Sequence, residues 1–239
     1  MAKILGVRVD NIDIEDALKK AKEFLYDGTA HTIYTPNPEM LVSAKKSAQY
    51  AAVLNNGSLN ICDGRGIELL GRIKHRIPGV DFMQKLCEIA GQEHKSIYLL
   101  GGGPDIAKQA AQQLKSILPT LNIVGYSEGP QITQDGAGDS EQAIADILDA
   151  QPDILFVAFG HEKQEYWIDS HLPDIPSVKI AMGVGGSFDF LSGHIQRAPL
   201  WMRRVGLEWL YRLYKEPRRI RRIYTAVVLF PLLFLFSKR

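Results

Sequence analysis

Short runs of branched and apolar residues recur along the chain at 4–9, 31–34, 59–62, 96–100, 121–126, 153–159 and 178–184. Segments of helical periodicity separate several of them. Asp13 or Asn11 is placed to cap a helix through Leu25, with Ala17, Ala21 and Leu25 at four-residue steps. Pro104 sits just inside a second predicted helix that reaches Leu118, and Ser140 precedes a third that ends near Ala150. Strand and helix signals alternating in this way predict an α/β fold, a largely parallel, Rossmann-like sheet with helices on both faces.

The pattern changes at Ala198-Pro199. Before Pro217, one side of a helix would carry Arg204, Glu208, Arg212, Lys215 and Arg219, and another Met202, Val205, Trp209 and Leu213. After it, Ile220, Ile223, Tyr224, Val227 and Val228 follow an i, i+3, i+4, i+7, i+8 spacing, flanked by Arg218, Arg221 and Arg222. Two short amphipathic helices joined at a proline are predicted. The expected division is an α/β catalytic domain over 1–197 and a helical appendage over 198–239. The apolar run at 224–236 contains Pro231 and falls short of the roughly 20 apolar residues a spanning helix needs. It suits a helix lying on a membrane, with a buried core or oligomer-interface helix as the alternative.

Charge separates the same two parts. Residues 199–239 hold 10 basic and 2 acidic side chains, a net of +8, while the remainder holds 18 basic and 25 acidic, a net of −7. A basic, aromatic and oily end on an acidic body points to an anionic membrane surface, and the apolar residues beyond the arginines suit lipid better than nucleic acid. The same apolar surfaces would allow homo-oligomers to form away from a membrane. With 46% hydrophobic and 23% charged residues the composition excludes general disorder. Two cysteines without a C-x-x-C spacing, and no secretory leader, predict a cytoplasmic protein peripheral to the membrane.

In parallel sheets ligands gather beyond the carboxyl ends of the strands, so the segments just after each run carry the candidate chemistry. Asp63 follows a strand and precedes a glycine, which suits a general base at the rim of a cleft and equally a helix cap. Thr35 and Asn37, set among prolines, are either rigid ligand contacts or turn residues. Gly183, Gly185 and Gly186 permit close approach of the backbone to a phosphate or sugar. They make no dinucleotide fingerprint, because the third glycine would fall at Phe188; for Gly101 and Gly103 it would fall at Ile106. A nicotinamide oxidoreductase is therefore disfavoured, and Gly101-Gly102-Gly103-Pro104 reads as a tight turn or a weak phosphate site. The six histidines lack metal-ligand spacing, and no D-x-D follows a strand. No metal and no cofactor is expected, and a diphosphate would have to be met by arginine, lysine or main-chain amides.

Taken in order, six segments resemble the WecG/TagA/CpsF glycosyltransferases of bacterial surface-polymer assembly. They are Thr35-Pro36-Asn37-Pro38-Glu39, Cys62-Asp63-Gly64, Gly79-Val80-Asp81, Gly160 with Lys163-Gln164-Glu165 and Trp167, the stretch from Gly183 to Asp189, and Arg197-Ala198-Pro199 with Gly206-Leu207-Glu208-Trp209. The resemblance spans nearly the whole chain, with one departure: His161-Glu162 stands where many members have a proline. It implies metal-independent, inverting transfer of a sugar from a UDP donor to a polyprenyl-diphosphate-linked N-acetylglucosamine at the inner membrane face. In the teichoic-acid branch the sugar is N-acetylmannosamine and the acceptor group the 4-hydroxyl, giving a β-1,4 linkage. Other members use N-acetylmannosaminuronic acid or hexose donors, and a non-catalytic nucleotide-binding scaffold is the alternative of another class. By the resemblance, Asp63 is the base, Thr35, Asn37 and Gln164 line the pocket, and Asp189 faces the nucleotide. Arg212, Arg219 and Arg222 meet the acceptor diphosphate.

Overall fold

The computed structural model describes residues 2–237; Lys238 and Arg239, counted above in the basic tail, lie outside the described residues. The apolar run at 4–9 is not one strand. β1 (Ala2–Ile4) and β2 (Val7–Val9) form an antiparallel hairpin, turned by Leu5 and Gly6 at φ of 49° and 92°. Leu5 is buried, so the turn is apolar and reads as strand. The main sheet comprises β3 (His31–Tyr34), β4 (Leu59–Asn60), β5 (Ser96–Gly101), β6 (Asn122–Ser127), β7 (Ile154–Ala158) and β8 (Ile180–Gly183). Its spatial order is β4-β3-β8-β7-β5-β6, with every neighbouring pair parallel.

Alternate residues of the central strands feed two cores. Tyr98, Leu100, Leu155, Val157 and Ala181 face one side, against α2 (Pro38–Lys46), α3 (Ala48–Asn56), α7 (Glu141–Ala150) and α8 (Lys163–His171). Ile97, Leu99, Ile154, Phe156, Ile180 and Met182 face the other, against α1 (Ile14–Phe24), α5 (Gly79–Gln92), α6 (Ile106–Ile117) and α9 (Ser187–Leu191). Because both faces are covered, β5, β7 and β8 are buried along their whole length, which is why they read as continuous apolar runs. Asp13 caps α1 by accepting from the Asp16 amide. The helix expected from Pro104 starts at Ile106, because Asp105 turns left-handed at φ 58°.

The remaining helices are α4 (Arg65–Gly71), between β4 and α5, and those of the tail: α10 (Leu200–Val205), α11 (Glu208–Lys215), α12 (Ile220–Tyr224) and α13 (Phe230–Phe236). The single amphipathic helix expected before Pro217 is broken at Gly206, whose φ of 80° ends α10. After Pro217 the chain stays helical to Phe236 and passes through a π-helical turn at Thr225–Leu229. That turn precedes Pro231, which lacks an amide hydrogen and crowds the turn before it.

The last helix has two faces. Phe230 and Phe234 are buried in the same core as α2 and α3, and Phe230 packs against Gly66 of α4. Each buried phenylalanine contributes roughly 1.5–3 kcal/mol. Leu232, Leu235 and Phe236 point outward, Phe236 being 68% exposed. Among the described residues no helix is long and apolar enough to cross a membrane.

Candidate active site

Because all six strands are parallel, their carboxyl ends open at one edge, where they line a cleft of about 870 Å³ closed on one side by the tail. Thr35 and Asn37 follow β3, Asp63 follows β4, and Gln164, Gly185, Gly186 and Asp189 come from the ends of β7 and β8. Arg212, Arg219 and Arg222 enter from the tail. Of the glycines at the end of β8, Gly185 and Gly186 line the cleft and Gly183 does not. It is buried behind it, where a Cβ would lie 2.8 Å from Gln164 Nε2, so its lack of a side chain makes room for Gln164.

Asp63 does not cap the helix that follows it; α4 has no side-chain cap. Its Oδ2 instead accepts from the amide of Gly79, the first residue of α5, at 3.0 Å. A Cβ on Gly79 would meet Thr35 Oγ1 at 3.2 Å and Asp63 Oδ2 at 3.3 Å, so Thr35, Asp63 and the start of α5 form one tight corner. Oδ1 of Asp63 has no hydrogen-bond partner among the described residues. Burial pushes its carboxyl up to about 6, against the opposing pull of the Gly79 amide, Arg76 and Arg212. Asn37 caps α2, its Oδ1 accepting from the amides of Glu39 and Met40 at 3.0 and 3.1 Å.

The three tail arginines differ. Arg222 makes a bidentate pair with Glu39, Nη2 to Oε2 at 2.8 Å and Nε to Oε1 at 2.9 Å, and Arg219 Nε donates to Glu216 at 2.5 Å. Arg212 has no such partner among the described residues: its Nε and Nη2 are buried without a hydrogen bond. Its guanidinium lies 4.4 Å from the Phe190 ring centroid, and Nη2 is 3.2 Å from where a Gly186 Cβ would sit. Burial first, then Arg219, lowers its pKa. A buried guanidinium with two unused donors beside the Gly186 main chain suits a phosphate oxygen. Burial likewise raises the Asp189 carboxyl.

Several neighbours of the site take roles that the sequence left open. Arg197 pairs with Asp81 of α5 and, at 3.5 Å, with Glu208 of α11. Two of the six motif segments thus meet in one ionic cluster that fastens the tail beside Asp63. Arg76 adds a bond from Nη2 to the Arg203 carbonyl at 2.9 Å. His161, the departure from the family pattern, lies 3.8 Å from Glu39 and 3.6 Å from Glu162, its pKa lowered by burial. Gly102, Gly103, Glu128 and Lys163 also line the cleft, so the glycine turn after β5 belongs to the site. Among the described residues no group of three His, Cys, Asp or Glu side chains gathers as a metal site would require.

Comparisons with known proteins give the family. A family profile described as "Glycosyl transferase WecG/TagA/CpsF family" matches residues 2–239. The N-acetylglucosaminyldiphosphoundecaprenol N-acetyl-beta-D-mannosaminyltransferase of Bacillus subtilis (strain 168) is 35% identical over 207 residues, covering 84% of this chain and 78% of that protein. Its namesake in Bacillus spizizenii is 34% identical over 197 residues, 80% of this chain and 74% of the relative. That of Staphylococcus aureus (strain MRSA252) is 30% identical over 227 residues, 92% of this chain and 87% of the relative. With the profile running through the cleft segments and the tail alike, the chain is a glycosyltransferase of the WecG/TagA/CpsF family.

Proposed function

We propose that the chain transfers N-acetylmannosamine from UDP-N-acetylmannosamine to the 4-hydroxyl of N-acetylglucosamine carried on undecaprenyl diphosphate. The product would be a β-1,4 linkage of the wall teichoic acid linkage unit. The relatives' names motivate the acceptor and the sugar. The observation that carries the chemistry is Asp63, one carboxylate oxygen anchored on Gly79 and the other open, at the floor of the cleft. In a single displacement the acceptor hydroxyl oxygen attacks the anomeric carbon as its proton passes to Asp63 Oδ1. The bond from that carbon to the diphosphate breaks, and UDP leaves with the electron pair. One displacement inverts the anomeric centre. Arg212 and the Gly186 amide would meet the leaving diphosphate, the place where charge develops.

The appendage, 198–239, is assigned two further roles: wall of the site, and contact with an anionic membrane at the inner face. The outward aromatic and aliphatic side chains Trp201, Tyr224, Leu235 and Phe236, with exposed Arg218 and Arg221 nearby in the chain, support the second role.

Release of UDP from UDP-N-acetylmannosamine, followed with and without a short-chain lipid-linked acceptor, tests the reading. Acceptor-dependent release is expected, and release that ignores the acceptor counts against transfer. A base must be ionised to work. With its pKa near 6, kcat/KM should therefore hold above that pH and fall about tenfold per unit below it. A flat profile between pH 5 and 8 would remove Asp63 from that role.

A further inference from the structure

Beside the cleft lies a charge the mechanism does not use. Glu165 is 1% exposed, and none of the ion pairs among the described residues involves it. Its carboxylate accepts from Gln164 Nε2 at 2.7 Å and from Tyr50 Oη at 3.0 Å. Gln164 in turn accepts at Oε1 from the Gly185 amide, 2.9 Å away. Gly185 stands at φ +50° and lines the cleft, as does Gly186 beside it.

These bonds have a direction. An ionised carboxylate only accepts, so it draws the NH₂ of Gln164 toward itself and turns the amide oxygen to Gly185. The opposite rotamer would set two acceptors against each other at Glu165 and two donors against each other at Gly185. An apolar residue at 165 would leave only the Gly185 amide to orient Gln164, and a cation would draw its oxygen the wrong way. Burial pushes the Glu165 carboxyl up to about 7, so the core holds this acid at some cost.

We infer that Glu165 is a positioning residue of the donor site, orienting Gln164 so that the Gly185-Gly186 main chain is held in the shape that receives the donor diphosphate. The inference rests on the donor reading above. It touches no reacting atom and acts through Gln164 alone.

UDP titration by calorimetry tests it on the full-length chain. Glu165→Leu should weaken UDP binding about tenfold, because the loop that receives the diphosphate is disturbed. Glu165→Asp keeps the charge and folds readily, but its carboxylate falls one methylene short of Gln164, so it should weaken UDP to a similar degree. Glu165→Gln loses the charge yet keeps the reach, with its oxygen to Gln164 and its NH₂ to a turned Tyr50 hydroxyl, and should stay within about threefold of the parent. In a Gln164→Ala background, Glu165→Leu should cost almost nothing more. Full additivity there, or UDP binding within twofold of the parent in both the Leu and Asp variants, overturns the role. Hydrogen exchange at the Gly185 amide, read without UDP, separates the two ways of failing. A parent chain that does not bind UDP overturns the donor reading; unchanged Gly185 exchange in the Leu and Asp variants overturns the positioning.

Discussion

Asp63→Asn is expected to lower transfer by about 10²–10⁴-fold, the usual contribution of a positioned base, while UDP affinity changes by less than about threefold. The expectation follows from where the carboxylate sits. The oxygen that accepts from Gly79 is kept by asparagine, whose carbonyl can take the same bond, so the corner of Thr35, Asp63 and α5 should persist. What is lost is the second, unpartnered oxygen and its capacity for a proton. Stability supplies an independent readout. Burial raises the Asp63 pKa from 3.8 to about 6, so the folded chain holds that proton more tightly than the unfolded one. The group favours folding below the unfolded value, and that contribution is lost as pH rises toward 6. Above pH 7 the asparagine variant should therefore unfold at a urea midpoint no lower than the parent's. A variant that retains more than a tenth of the parent rate, or that is crippled only because it no longer folds, contradicts the assignment.

The second large effect belongs to the tail. Arg212→Ala should reduce kcat by about 10²–10³-fold with a soluble acceptor analogue, the range seen when one preorganised donor to a developing charge is removed. Deleting residues 199–239 should cost at least as much. The two variants report different things. Deletion also strips Phe230 and Phe234 from the core they share with α2 and α3, so the truncated chain should be less stable as well as inactive. Arg212→Ala leaves that packing alone, and its guanidinium gives up no ion pair among the described residues. Arg222→Ala is the informative contrast. Its guanidinium is committed to Glu39, so its loss should act first on how the tail closes over α2, with a smaller effect on kcat than Arg212→Ala. Equal losses at both positions would mean that Glu39 releases Arg222 when substrate binds. Full activity in Arg212→Ala would remove the tail from the catalytic wall.

Much of the fold was legible because burial on both faces leaves a direct trace: the apolar runs at 96–100, 153–159 and 178–184 are the three central strands β5, β7 and β8. The misreadings share one cause, a turn built from residues that do not look like a turn. Leu5 is apolar and buried yet left-handed, so the hairpin β1-β2 read as a single strand. Gly206 sits inside a regular helical spacing of arginines, and only its positive φ shows that α10 ends there. In the site, residues just after strands were the right place to look, since parallel strands must open on one edge. What pattern could not reveal is which polar groups spend their hydrogen bonds inside the protein. Asn37 is occupied as a cap, and Gln164 is held at both ends. The resemblance carried Asp81, Arg197 and Glu208 in its motifs without a role, because an ionic cluster bridging 116 residues exists only after folding.

If the tail is both the wall that carries Arg212 and the surface that meets lipid, catalysis should need chain end and membrane together. The direct measurement is acceptor-dependent UDP release by the intact chain on liposomes carrying the lipid-linked acceptor, compared between anionic and zwitterionic compositions. The account predicts release at least about tenfold faster on the anionic liposomes, as expected for several basic side chains near a charged surface. The advantage should vanish when residues 199–239 are removed. Equal rates on both compositions, or an undiminished rate from the truncated chain, would contradict it.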